Sequence, residues 1–187
     1  LKKLTKQIRN IFNDYNYPIL IDEEGGSVTR LNKIISFKTF SQVFFAKEYK
    51  NRKSSFPKKY KNYISLISNI LSEAGININT SPVLDIKNKI SNKIIGSRAF
   101  SNDPKIISEV GNLCINFYHK NKIGTIVKHI PGHGRSNNDS HFFTPTITTS
   151  KKKLIQNDFK AFKKNKSFFA MTAHIIFTSF DKKNTVT

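Results

Sequence analysis

The densest chemistry in this chain lies between Lys128 and His141. Lys128-His129-Ile130-Pro131-Gly132-His133-Gly134 is followed by Asp139-Ser140-His141, so fourteen residues hold three His, one Lys and one Asp. Glycines and a proline between them set an unusual backbone course. An Asp two residues before a His can orient the imidazole and stabilise its charged form, which makes a proton shuttle of the pair. Asp139 and His141 have that spacing. A polar surface loop would have the same composition. The set His129, His133, His141 and Asp139 could also surround a zinc ion, but its spacing follows no established zinc signature.

Other polar residues suited to chemistry are spread along the chain, each just after an apolar run. Asp22 follows Ile19-Leu20-Ile21, Asp85 follows Pro82-Val83-Leu84, and His174 follows Phe168–Ala173. Glu23 and Glu24 could be taken for a catalytic carboxylate pair, although neighbours in sequence usually point apart. Asp85 reads first as a residue that shapes a strand end.

These positions require an alternating frame. Leu1, Leu4, Ile8, Ile11 and Phe12 recur at helical spacing, and the pattern ends near Asp14. Ile19–Ile21 reads as a short, fully buried strand. Helical zones are predicted over 38–50 and 58–74, the second with Tyr60, Tyr63, Ile64, Ile67, Ile70 and Leu71 on one face and Gly75 as its stop. A strand is expected over 76–84. Asp103-Pro104 opens a helix running to about Lys122. Strands over 125–129 and 168–174 flank a long loop (130–150) and a helix over 151–165. Apolar strands alternating with helices call for a parallel sheet covered by helices, with function at the C-terminal ends of the strands. The absence of a glycine-rich phosphate loop favours a barrel over an open doubly wound sheet. Only four strands are convincing, where a closed barrel needs eight.

Composition narrows the classes. A chain of 187 residues with 37% apolar content and sixteen Phe suits one domain with a substantial core. The formal net charge of +20 invites a nucleic-acid reading, but only 5 of the 32 basic residues are Arg. Arg is the usual residue for bidentate phosphate and base contacts. The scattered Lys read as solvated helix faces, and no nucleic-acid partner is expected. The single cysteine, Cys114, excludes an internal disulfide and sits in an apolar helical stretch. No run approaches the roughly 20 apolar residues of a membrane span.

Five segments together resemble family 3 glycoside hydrolases of the β-N-acetylhexosaminidase type. That family carries Lys-His-Phe-Pro-Gly-His-Gly followed by Asp-(Ser/Thr)-His; here stand KHIPGHG and DSH, with Ile130 in place of the aromatic. IDEEGGSVTRL (21–31), SPVLDI (81–86), IGSRAFSNDP (95–104) and MTAHIIF (171–177) are similar to four further family segments, in the same order.

The resemblance implies a (β/α)8 TIM-type barrel, present as an incomplete barrel that forms the only domain of residues 1–187. It implies that Asp22, Arg30, Arg98, Lys128 and His129 bind N-acetylglucosamine, and that His141 is the general acid/base, oriented by Asp139. It implies no cofactor and no metal. The substrate would be a terminal β-linked N-acetylglucosamine, typically on a muropeptide in cytoplasmic peptidoglycan recycling. A retaining mechanism also needs a carboxylate nucleophile. The family's Asp segment has no counterpart here, since Asp158 falls mid-helix and Asp181 in a polar tail. The chain is therefore expected to be a truncated portion, inactive alone. Two other readings remain open: a family 3 glycosidase of β-glucosidase type, against which the Asp139–His141 segment argues, and a non-catalytic basic binding protein on a barrel remnant. Oligomeric state is left open.

Overall fold

A computed structural model describes residues 1–88, 94–136 and 144–186. In chain order its first half comprises α1 (Lys2–Phe12), β1 (Leu20–Ile21), α2 (Gln42–Asn51), α3 (Phe56–Glu73) and β2 (Ile78–Asn79). A single 3-10 turn, Gly96–Arg98, precedes α4 (Pro104–Lys120) and β3 (Gly124–Ile130). Beyond these lie β4 (Thr146–Ile147), α5 (Lys151–Lys153), a π-helical turn (Leu154–Asp158), α6 (Phe159–Phe162), β5 (Phe169–Thr172) and β6 (Ile176–Phe177).

Helix starts fall where the capping chemistry lies. The Asp103 carboxylate accepts from Lys105 N at 2.8 Å and Pro104 fills the first turn of α4, so two orphan-donor problems are solved locally. Ser41 accepts from Phe44 N and starts α2 at Gln42, later than the expected residue 38. The helix expected over 151–165 ends at Phe162 and carries the π turn inside it.

β1, β2, β3 and β5 form a parallel sheet in that order, with β4 and β6 paired separately, also in parallel. The order and direction are those of an arc of a (β/α)8 barrel, and the arc is not closed among the described residues. α3 and α4 pack on each other and form one apolar cluster with the sheet: Ile64, Ile67, Leu71, Ile107, Ile115, Ile123 and Val127 are all buried. Cys114 is buried in this cluster, and burial pushes its thiol up to about 12, where it is unreactive. No helix among the described residues is long and apolar enough to cross a membrane.

Three elements differ from expectation. The strand expected over 76–84 forms a regular ladder only at Ile78–Asn79; around Pro82, which has no N–H to contribute, the pairing with β3 narrows to an isolated parallel bridge between Val83 and Lys128, with Leu84 N donating to Lys128 O at 2.8 Å, while the Gln42 side chain bonds Val83 N (3.0 Å) and Val83 O (2.9 Å). The Ile19–Ile21 strand is not fully buried: Leu20 is 49% exposed, because β1 has no neighbour on its outer side among the described residues. β5, at the opposite edge, exposes Phe169 and Met171 for the same reason. α1 also differs. It docks through Thr5 and Arg9, which donate to Ala74 O and Gly75 O, and leaves Leu1, Leu4, Ile11 and Phe12 exposed.

Candidate active site

Parallel strands bring their C-terminal ends to one rim, and the polar residues that follow each apolar run meet there. Asp22 comes from the end of β1, Thr80 from the end of β2, and Lys128 and His129 from the last residues of β3. Gly25 makes the turn after β1 possible. Its φ is +76°, and a Cβ there would lie 2.4 Å from Phe40 O.

Lys128 is the hub. Its side chain is 3% exposed, and its ammonium reaches Glu24 Oε1 at 2.7 Å, Asp22 Oδ1 at 2.8 Å and Thr80 Oγ1 at 3.0 Å. An ammonium has three N–H donors, so all three are occupied by protein oxygens. Thr80 also donates to Asp22 through a short hydrogen bond. Burial alone would raise the Asp22 carboxyl, but the bonds from Lys128 and Thr80 outweigh it and hold Asp22 below the ordinary range. Asp22 is 43% exposed and so offers an ionised carboxylate to solvent or to a ligand.

Glu24, beneath it, is fully enclosed. Its carboxylate receives Arg98 Nε at 2.8 Å and Arg98 Nη2 at 2.9 Å as well as Lys128. Burial again acts upward, and the two cations reverse it, so Glu24 is held ionised. Glu23 points the other way. It accepts from Thr29 Oγ1 and from Arg30 N and Leu31 N, which fastens the loop, and burial raises it despite these bonds. Arg30 itself is exposed, and its charge helps depress Asp22.

On the other side of Lys128, Asp85 is completely buried and accepts from His129 Nδ1 at 2.6 Å and from His133 N at 2.6 Å. The bond from Nδ1 fixes the ring orientation and leaves Nε2 as the outward nitrogen. Burial would raise Asp85; the charge and hydrogen bond of His129 take it below the ordinary range instead. Gly134 must be glycine, since a Cβ there would sit 1.8 Å from Ile86 O. Farther along, Arg135 forks onto Asp158, whose Oδ1 and Oδ2 both lie 2.9 Å from Nε.

The structure thus brings together Asp22, Arg98, Lys128 and His129 and leaves Arg30 at the exposed margin. Asp139 and His141 lie outside the described residues. His174 is exposed just past β5. Sequence reasoning missed Glu24 as a member of the cluster and undervalued Asp85. The signal for Glu24 was available: in extended backbone, residues i and i+2 share a side, which sets Glu24 with Asp22.

Fold and site together define a barrel-type α/β protein with a polar, charge-paired rim. The model of the glycosyl hydrolase family 3 N terminal domain matches residues 1–186, and the chain belongs to that family. A beta-hexosaminidase from Photobacterium profundum is 32% identical over 98% of this chain and 53% of its own length. Beta-hexosaminidase A from Pseudoalteromonas piscicida is 28% identical over 90% of the chain and 28% of its own length. Among solved structures, a family 3 beta-N-acetylglucosaminidase from Paenibacillus superposes with a TM-score of 0.83 at 26% identity, over 98% of this chain and 35% of that one. NagZ from Neisseria gonorrhoeae, in complex with N-trifluoroacetyl-D-glucosamine, superposes with a TM-score of 0.85 at 24% identity, over 98% and 53%. The chain spans about half the length of the Photobacterium relative and less of the Pseudoalteromonas one.

Proposed function

We propose that this chain supplies the sugar-binding part of a retaining β-N-acetylhexosaminidase that removes terminal β-linked N-acetylglucosamine, with muropeptides in the cytoplasm as the substrate class. The observation that carries the reading is the convergence of Asp22, Arg98 and His129 around the buried Lys128, on the rim where a barrel enzyme binds substrate. The ionised, half-exposed Asp22 suits a sugar hydroxyl as donor. Arg98 supplies N–H groups to acceptor oxygens, and the outward Nε2 of His129 meets a further hydroxyl. Lys128 joins the ligand only by exchanging one of its three protein acceptors for a sugar oxygen. Arg30 closes the margin.

In this reading His141 protonates the departing oxygen and later activates water, with Asp139 orienting its imidazole, and an Asp nucleophile is contributed from outside these 187 residues. The names of the Photobacterium and Paenibacillus relatives support the acetamido sugar over a plain glucoside.

The test is hydrolysis of chromogenic β-N-acetylglucosaminide and β-glucoside by the protein that contains this chain, with the anomer of the first product followed by NMR. Turnover of the acetamido substrate with retention is expected, lost in His141→Ala and absent from residues 1–187 alone. Preference for the β-glucoside would overturn the specificity, and an inverted product would overturn the mechanism.

A further inference from the structure

Glu24 is a carboxylate with no route to solvent, placed between two cations. Its side chain is 1% exposed, yet it is held ionised, and each of its oxygens is committed: Oε2 to Arg98 Nε, and Oε1 to both Arg98 Nη2 and Lys128 Nζ. This is a side-on bidentate pair, the arrangement that fixes a guanidinium plane most firmly. Of the five N–H groups of Arg98, two go to Glu24 and one, on Nη1, to Ile94 O at 3.3 Å. Among the described residues, two therefore remain, one on each terminal nitrogen. The Arg98 backbone is fixed as well, through a short bond from Gln42 Nε2 to Arg98 O.

We propose that Glu24 is a positioning residue for sugar recognition: by taking the Nε–Nη2 edge of Arg98 and one N–H of Lys128, it leaves the remaining Arg98 donors aimed at the acceptor oxygens of the ligand and fixes the ammonium that holds Asp22. The inference rests on the sugar-binding reading above. Without the carboxylate, Arg98 has no buried anchor on that edge and would turn it toward Asp22 or the ligand. Lys128 would keep only Asp22 and Thr80.

The experiment uses the whole protein containing this chain, with N-acetylglucosamine as the probe in calorimetric titrations of wild type, Glu24→Gln, Arg98→Lys and the double variant. Each single change is expected to weaken binding about tenfold or more, and the double variant hardly further, because both act through one edge. For a chromogenic substrate, KM should rise more than kcat falls. A ligand-free readout accompanies this: the Arg98 Nε–H NMR signal, protected from exchange by Glu24, should become fast-exchanging in Glu24→Gln. If Glu24→Gln fails to fold, Glu24→Asp keeps the charge but withdraws it by one methylene, and it should show the same loss of affinity and protection with a native circular dichroism spectrum. Unchanged affinity and protection in either folded variant, or additive effects of the two single changes, would overturn the proposal. If wild type does not bind N-acetylglucosamine but protection is still lost in the variant, the hold of Glu24 on Arg98 stands and the sugar reading fails.

Discussion

Two buried carboxylates in this protein grip an arginine, and they behave in opposite ways. Glu24 and Asp158 each have side chains 1% exposed, and their partners Arg98 and Arg135 are similarly sheltered. Burial pushes both acids upward. At Glu24 it loses, because Lys128 adds a second cation at 2.7 Å to the bidentate arginine. At Asp158 it wins, because Arg135 is the one cation paired with it among the described residues and the charge of Asp85 acts in the same direction as burial. At Asp158 the arginine does not outweigh desolvation of the carboxylate, and at Glu24 the two cations together do. The pair whose carboxyl is lowered is the one at the rim, beside the half-exposed Asp22. The weaker pair fastens the chain behind Gly132, whose Cβ position lies 3.2 Å from Asp158 Cβ.

The largest expected effect that can break this contrast is on stability. Glu24→Gln strands two sheltered cations and should cost about 3 kcal/mol in denaturant unfolding at neutral pH, whereas Asp158→Asn should cost about 1–2 kcal/mol. Equal costs would mean that the second cation does not matter.

A smaller effect distinguishes the pairs by sign. Glu24 titrates below the ordinary carboxylate range of about 4, so its contribution is present above that range and is lost as pH falls. Asp158 titrates above its ordinary range, so the folded state takes up its proton first and gains stability from that group as pH falls. The acid limb of the stability profile should become shallower in Glu24→Gln and steeper in Asp158→Asn. Changes of the same sign in both variants would contradict the assigned directions.

The smallest effect is a baseline. Lys58 and Lys61 are exposed on α3, and changing either to Gln should move stability by no more than about 0.5 kcal/mol. A larger loss would move to the dispersed lysine charge a structural weight that belongs to the buried pairs.

How much was readable in advance differs by element. α3 and α4 were legible because a helical apolar period also tells which face is buried when a neighbour is present, and Asp103-Pro104 marks its own helix start. α1 has the same kind of period, yet it turns Leu4 and Ile11 to the outside and docks through Thr5 and Arg9. A period states that a face exists and is silent about what covers it. The short ladder at β2 escaped for a related reason: nothing local reveals that Gln42, some forty residues earlier, takes both backbone bonds of Val83. The motifs singled out Asp22, Arg98, Lys128 and His129, which the fold brings to one rim, while Glu24 was set aside as one of two adjacent acids.

By itself the sequence determined the alternation of strands and helices, the placing of polar and charged residues at strand ends, and the family to which the motifs belong. These follow from period, capping and residue type, which are local. Only the tertiary structure decided which charges meet. It set Glu24 between Arg98 and Lys128 and gave Asp85 to His129, and among the described residues it left Asp158 with a single cation. Those outcomes depend on distances between residues far apart in the chain and on how much water the packing removes around each. The same carboxylate chemistry therefore settles in opposite directions at two places in one molecule.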